Sequence, residues 1–421
     1  MQPPKYFLSY LFIQITLEKL RSILSRFSNL PSARGAFYVM YPSRINDAIS
    51  MWKKHLPDVK PYYAVKCNPA PQLLHHLYDA GIGFDCASER ELLEVQKLAR
   101  YETAKRIVYA NPCKSKRDIR IAKEMGAPIT VVDSIEEVEK LEGYEGGALI
   151  RIAVDDSGSA MPFSSKFGAT NVAKIHDAAK ATGLDIRGIS FHVGSGSIDM
   201  HSHANAIRAA YKHIIYMGPP QQDSPTIIDI GGGYLADPNK FWFTATTIRK
   251  AMHEINEDDG YIDWIAEPGR FLAANSFDFF VQVIGKKNSV SGWKYTIDDS
   301  LYGQFSGILF DYSQPLWVRI SPEGSTRRRS PGVIFGRTCD SIDVIAKAID
   351  MEELEVGDWL WYPGMGAYTR ATASEFNGFP APEIFINTES VKLSLHDYMY
   401  AAPTGVSRMP PVSAKAFWAK N

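Results

Sequence analysis

The chain has 421 residues, 45% of them hydrophobic and 22% charged, with a formal net charge of −1. That length exceeds one ordinary core and predicts two domains, one of them large. The balanced charge supplies no global field toward nucleic acid or a membrane surface, so neither is expected as a partner.

Four cysteines (Cys67, Cys86, Cys113 and Cys339) show neither a paired zinc spacing nor the density of a disulfide scaffold. They read as reduced thiols of a cytoplasmic protein, and no metal site is expected. In chain order, the first feature is an apolar stretch over 6–15, interrupted by Ser9 and Gln14 and too short to span a bilayer. No small-residue cleavage site follows it, and Leu17, Leu20, Ile23, Leu24 and Phe27 continue at helical spacing. An N-terminal amphipathic helix packed on the body is therefore expected, rather than a signal peptide.

From residue 61 onward, short apolar runs alternate with amphipathic segments such as 88–98 and 116–125. The runs are 61–65, 82–86, 107–110, 129–132, 148–154, 186–193, 226–230 and 261–266. Short β-rich runs separated by helices imply parallel strands joined by right-handed crossovers, and eight such units predict an α/β fold, a closed (β/α)8 barrel. Several runs end in a chemically loaded residue or a glycine turn: Lys66, Asp85, Arg151, His192, Gly231 and Glu267. The C-terminal strand ends form the active face of such a barrel.

After about residue 276 the rhythm changes. Runs at 279–284, 293–297, 333–335 and 359–362 look like short strands joined by turns, a mostly antiparallel β-domain. The arginine-bearing segment 321–332 reads as a solvated loop. The expected division is 1–42 (helix and strand joining the β-domain), 43–276 (the barrel) and 277–421 (the β-domain).

Individual motifs carry specific chemistry. In YYAVKCNP, Lys66 follows an apolar run into what reads as a mostly dry cavity. Desolvation lowers a lysine pKa, and a neutral amine can form an imine with an aldehyde cofactor, although a strand-end lysine is more often a snorkelling surface residue. In IDIGGGY, Gly231, Gly232 and Gly233 let the backbone approach a phosphate, or simply make a tight turn. In AEPGR, Glu267 can pair with a protonated pyridine nitrogen and Arg270 with a phosphate; the alternative is a structural Glu–Arg pair. In SFHVGSG, His192 can stack on an aromatic cofactor and Ser195 can bond its phosphate. Cys339, beside Asp340, can donate a proton or be an inert thiol. Asp311 can hold a distal amine or cap a turn.

Ten ordered segments, AFYV, YAVKCN, GFDCAS, VYANPCK, SFHVGSG, DIGGG, AEPGR, TCD, MGAYT and FNGF, run from about residue 36 to 390. Together they resemble the eukaryotic ornithine decarboxylase family, pyridoxal-phosphate (PLP) enzymes of fold type III with an alanine-racemase-like barrel and a β-domain. The resemblance implies a cytoplasmic carboxy-lyase of polyamine biosynthesis that converts L-ornithine to putrescine, with pyridoxal 5'-phosphate as cofactor. It implies Lys66 as Schiff-base lysine, His192 on the ring face and Glu267 at the ring nitrogen. Ser195, Gly231 to Gly233, Gly269, Arg270 and Tyr368 would hold the phosphate, with Asp85 and Arg151 completing the shell.

It further implies a homodimer with shared active sites. Cys339 would reach in from the partner as proton donor. Asp311 and Asp340 would bind the distal amine, Tyr302 and Phe376 would line that pocket, and Lys166 and Asp343 would match an interface ion pair. Three departures stand out. Arg337 precedes TCD where the family usually has proline; it reshapes the pocket, tunes the acid Asp340 or faces outward. Phe310 replaces the usual tyrosine before Asp311. Aspartate at 311, rather than the glutamate of arginine-specific relatives, points to ornithine. A lysine or broad-range lysine/ornithine decarboxylase and a non-catalytic regulatory homologue are the competing readings, and an inhibitory protein regulator is left open.

Overall fold

The computed structural model describes residues 5–389 except 31–34, 100, 160, 162, 163, 165, 196–198, 200, 219–224, 257–261, 321, 323, 324 and 326. The C-terminal tail after 389 and Gly196 of SFHVGSG therefore lie outside the described residues. Residues Ile45–Ala273 cluster as one compact unit; Met1–Arg44 and Ala274–Asn421 form a second.

The first strand, β1 (Phe37–Met40), belongs to the second unit. The next eight close the barrel: β2 (Val59–Ala64), β3 (Gly83–Cys86), β4 (Ile107–Tyr109), β5 (Ile129–Val132), β6 (Gly147–Arg151), β7 (Ile186–Ser190), β8 (Thr226–Asp229) and β9 (Ile262–Ala266). Every neighbouring pair is parallel, and β9 returns to β2 with Val59 opposite Trp264. Each strand lies where an apolar run predicts one.

Two runs overshoot. Those at 148–154 and 186–193 predict strand beyond Arg151 and Ser190, but there the chain leaves the ladder while Ile152, Phe191 and Val193 stay buried. An apolar run reports burial, which continues into the loops on the active face. Val108, Ile129, Val131, Leu149, Ile227 and Ile265 form a core cluster inside this unit. Fully burying each such side chain stabilises by about 1.5–3 kcal/mol.

The connecting helices carry their own start and stop signals. Helix Lys116–Met125 begins with a reciprocal cap: Asp118 N–H donates to Ser115 Oγ (3.1 Å), and Ser115 N–H donates to Asp118 Oδ2 (3.0 Å). It ends at Gly126 in the left-handed region and buries Ile119, Ala122 and Met125.

The second unit holds β10 (Phe277–Ser289), β11 (Gly292–Ile297), β12 (Val318–Arg319), β13 (Arg329–Phe335), β14 (Val344–Glu352), β15 (Trp359–Tyr362) and β16 (Glu383–Ile386). The order is β12-β15-β10-β11-β13-β14, and β1 pairs with both β10 and β16. Pairs β1–β16 and β11–β13 run parallel and the others antiparallel, so the sheet is mixed with an antiparallel majority.

The N-terminal segment is the expected helix, Lys5–Ser28. It packs Leu20, Ile23 and Phe27 against Phe37, Val39, Phe280 and Trp361. Among the described residues, no helix is long and apolar enough to cross a membrane. The arginine-bearing segment departs from the expected solvated loop in part: Arg328 is 83% exposed, but from Arg329 on the chain is strand β13. Arg327 pairs with Asp358, Arg328 lies 3.9 Å from Glu353, and Arg329, already inside β13, pairs with Asp350 at 3.0 Å. Strand pairing brings acids of distant sequence against these three cations.

Candidate active site

Beyond β2 the chain makes a single 3-10 turn, Val65–Cys67. Val65 and Cys67 are buried, and Lys66 between them points away from that packing. Its Nζ lies 2.7 Å from Asp85 Oδ2, a carboxylate on β3 with no solvent exposure. The expected dry surroundings of Lys66 are not found, because its side chain is 45% exposed and ion-paired. The other oxygen, Asp85 Oδ1, is buried without a hydrogen-bond partner.

The glycine loop follows β8. Gly231 N–H donates to Asp229 Oδ1 (2.9 Å), and Glu267 N–H donates to the Gly231 carbonyl (2.7 Å). Gly231 has φ +65° and Gly233 φ +93°. A Cβ at 231 would lie 2.2 Å from the Phe191 carbonyl oxygen, and one at 233 would lie 2.3 Å from that of Gly194. At 232 it would meet the Glu267 carbonyl oxygen at 2.8 Å and His192 Nε2 at 3.0 Å. Only glycine permits this approach, and it brings backbone, imidazole and carboxyl residue together at one spot. Gly269 lies close against the β2 exit, where an added Cβ would sit 3.0 Å from Cys67 Cβ.

Charge on this face is concentrated and buried. Burial pushes the Glu267 carboxyl well above the usual range, and the neighbouring Asp229 and Asp85 push it further; Lys66 and Arg151 oppose them. Burial likewise pushes Asp229 up to about 7. His192 is held well below the usual imidazole range, first by burial and then by Arg151 and Lys66. Its Nδ1 accepts from Gly194 N–H (3.0 Å), so the proton of the neutral ring sits on Nε2.

The remaining barrel candidates lie at or just beyond the C-terminal ends of strands. Arg151 ends β6 with its guanidinium 5.0 Å from the Phe167 ring centre. Ser195 pairs through its backbone with Met161 (3.2 Å and 3.3 Å). Arg270 opens the short helix Arg270–Ala273.

Two residues of this face were not singled out by sequence reasoning. Asp229 lies inside DIGGG but reads there as an ordinary strand residue. His203 bonds the Gly232 carbonyl through Nε2 (3.1 Å) and stacks on Tyr234 at 4.8 Å, with its pKa lowered to about 4 by burial. Nothing in the sequence links it to a loop 29 positions away.

In the second unit the candidates form two groups. Tyr302 donates its hydroxyl to Asp340 Oδ2 and stacks on Phe376 at 4.3 Å, while Cys339 N–H donates to Asn377 Oδ1 (3.2 Å). The Tyr302 hydroxyl, and then the Ile342 amide, hold the Asp340 carboxyl below its ordinary range. Asp311 closes the short helix Gly307–Phe310, and Tyr368, at φ +54°, adjoins that helix: a Cβ on Gly307 would lie 3.3 Å from its carbonyl oxygen.

Asp343 is 1% exposed and accepts from Leu301 N–H (2.8 Å), Thr338 N–H (3.1 Å) and Thr338 Oγ1 (2.6 Å). It braces the turn that carries Asp340. Arg337 does not simply face outward: its Nη1 donates to the Asp298 carbonyl (2.8 Å), and its guanidinium lies 3.8 Å from the Phe379 ring centre.

The barrel residues suit PLP. A buried acid destabilised by two others calls for a cation, which a protonated pyridine nitrogen supplies. The glycine cradle leaves no room for side chains, and Asp85 Oδ1 awaits a donor.

Residues 42–274 match the family model described as pyridoxal-dependent decarboxylase, pyridoxal binding domain. The chain is 38% identical to the probable ornithine decarboxylase of Dictyostelium discoideum, over 84% of this chain and 79% of the relative. It is also 38% identical to the ornithine decarboxylase of Schizosaccharomyces pombe, over 85% of each. Among solved structures, the Paramecium bursaria Chlorella virus arginine decarboxylase bound to agmatine superposes with a TM-score of 0.80 at 32% identity, over 88% of this chain and all of that one.

Proposed function

The chain belongs to the pyridoxal-dependent decarboxylases, and from that membership we propose that it removes the α-carboxylate of L-ornithine to give putrescine. The observation that carries the reading is the glycine loop closing on His192 Nε2 and the Glu267 backbone carbonyl, with the buried Glu267 carboxyl in the field of Lys66 and Asp85. When bound, pyridoxal phosphate supplies an electron sink for the carbon that loses carbon dioxide.

The protein's share follows from its own side chains. Lys66 would hold the cofactor covalently through Nζ. Asp85 keeps Lys66 in register. Glu267 would pair with the ring nitrogen and favour its protonated form, and His192, a neutral imidazole, would lie against the ring. Gly231 to Gly233, Ser195, Gly269, Arg270 and Tyr368 would hold the phosphate, and Arg151 would complete the shell.

Asp340, anionic through its bond from Tyr302, receives the distal ammonium together with Asp311, while Tyr302 and Phe376 line the pocket. Cys339 returns a proton to the substrate α-carbon. The working form is a homodimer in which Cys339 and Asp340 of one subunit serve the barrel of the other. The four cysteines are free thiols, which supports a reducing compartment, the cytosol.

The test is an identification of product with ornithine, lysine and arginine supplied in parallel to the PLP-loaded protein. Putrescine should predominate. Cadaverine or agmatine as the main product would refute ornithine as the substrate, and a colourless protein that forms no amine would remove decarboxylation altogether.

A further inference from the structure

We propose that Arg337 is a positioning residue: it clamps the three segments that carry Tyr302, Cys339–Asp340 and Phe376, and so sets the length of basic side chain that Asp340 receives. The inference rests on the decarboxylase reading above.

The three segments, 298–304, 337–343 and 376–379, are far apart in sequence. Arg337 joins all of them. Its backbone N–H donates to the Asp299 carbonyl (3.0 Å), its Nη1 donates to the Asp298 carbonyl (2.8 Å), and its guanidinium carbon lies 3.8 Å from the Phe379 ring centre. On the first segment, Asp299 Oδ1 accepts from Ser300 N–H and Gln304 N–H, both at 2.7 Å, and so shapes the turn bearing Tyr302. On the third, Phe376 stacks on Tyr302, and Asn377 accepts from Cys339 N–H.

The geometry suits arginine and no other side chain. A guanidinium donates in its plane while its face lies on a ring; an ammonium does one or the other. Its charge also faces the paired carboxyls of Asp298 and Asp299, whose raised pKa values it opposes. Arg337 touches no substrate in this reading. It acts through Asp340, three residues on, whose carboxylate must stop at one distance from the reacting carbon. Ornithine and lysine differ by a single methylene, so a carboxylate free to shift by about one bond loses the distinction between them.

The experiment compares the loaded wild-type protein with Arg337→Ala and Arg337→Lys. Steady-state kinetics on ornithine and lysine are read beside hydrogen exchange of the peptides spanning 298–304 and 376–379. Arg337→Ala should raise KM for ornithine about tenfold with kcat changed less than about twofold, and should narrow the ornithine-to-lysine preference by a similar factor. Exchange should quicken in both distant peptides. Arg337→Lys keeps the charge without the planar fork and should resemble Arg337→Ala.

Unchanged KM with unchanged exchange overturns the proposal. So does a fall in kcat with KM untouched, or full recovery by Arg337→Lys. If Arg337→Ala does not fold, Phe379→Leu removes the ring beneath the guanidinium and should give the same KM and exchange signature; wild-type behaviour of that variant overturns the clamp. A wild-type protein that forms no putrescine sinks the functional reading instead, and the exchange comparison still decides the clamp.

Discussion

Lys66 and Asp85 form a short ion pair with unequal surroundings: the ammonium is half in solvent, while the carboxylate is fully buried with one oxygen unpartnered. A buried carboxylate that loses its cation is costly, so the pair holds Lys66 Nζ at one place on the barrel rim. Replacing Lys66 with alanine removes this counter-ion and, in the proposed role, the covalent tether. Turnover should fall by at least about 1,000-fold, because an activated nucleophile is lost outright. The absorbance band of the lysine-bound cofactor should disappear with it. Retained turnover, measured as amine formed, would refute the assignment of Lys66. Sequence alone singles out Lys66 and Asp85 because each stands at the end of an apolar run. It does not show that Lys66 is half exposed, since exposure depends on how far neighbouring loops close over it.

The glycine loop shows what an element contributes. Residues 231–233 leave β8 in a path that L side chains avoid, and an added methyl at 231 would press on a backbone carbonyl that cannot rotate away. Gly231→Ala should cost about 1–2 kcal/mol in backbone conformation alone. It should also weaken PLP binding by tenfold or more, while the rest of the barrel still melts cooperatively. Titrating the cofactor band against added PLP checks this; wild-type affinity would mean the loop holds no phosphate.

The same element shows the reach of sequence patterns. All eight barrel strands are legible because each is a short apolar run bounded by turn residues. β14 is not, because Lys347, Asp350 and Glu352 interrupt its hydrophobic pattern along a half-exposed strand. β12, with two residues, offers no period to read. The places of Asp229 and His203 are equally hidden, since each depends on a partner that only folding brings close.

Across the whole molecule, several carboxyls are buried at a cost. Burial raises Glu267 and lifts Asp229 to about 7, Asp298 to about 6 and Asp299 to about 7. A carboxyl whose folded pKa exceeds its unfolded value contributes stability that is full below the unfolded value and is lost as pH rises through the folded one. His192 and His203 carry the opposite sign: their lowered pKa values make stability rise with pH up to the unfolded histidine value of about 6.5. Above that point the raised carboxyls still change. The cofactor-free protein should therefore melt several degrees lower at pH 8 than at pH 6.5. Loading with PLP should shrink the difference, because in the proposed site the ring nitrogen would give Glu267 a cationic partner. A melting temperature that rises over this window would contradict the raised carboxyls.

The second unit is discontinuous along the chain, which bears on how the protein is made. Phe37 of β1 pairs with Phe280 of β10 and Glu383 of β16. The barrel lies wholly between these partners in sequence and can close as soon as its last strand clears the ribosome. At a synthesis rate of about 5–20 residues per second, the N-terminal helix and β1 wait on the order of tens of seconds for the strands that cover them. During that interval Leu20, Ile23 and Phe27 are an uncovered apolar stripe on a nascent chain, the segment a chaperone would engage first.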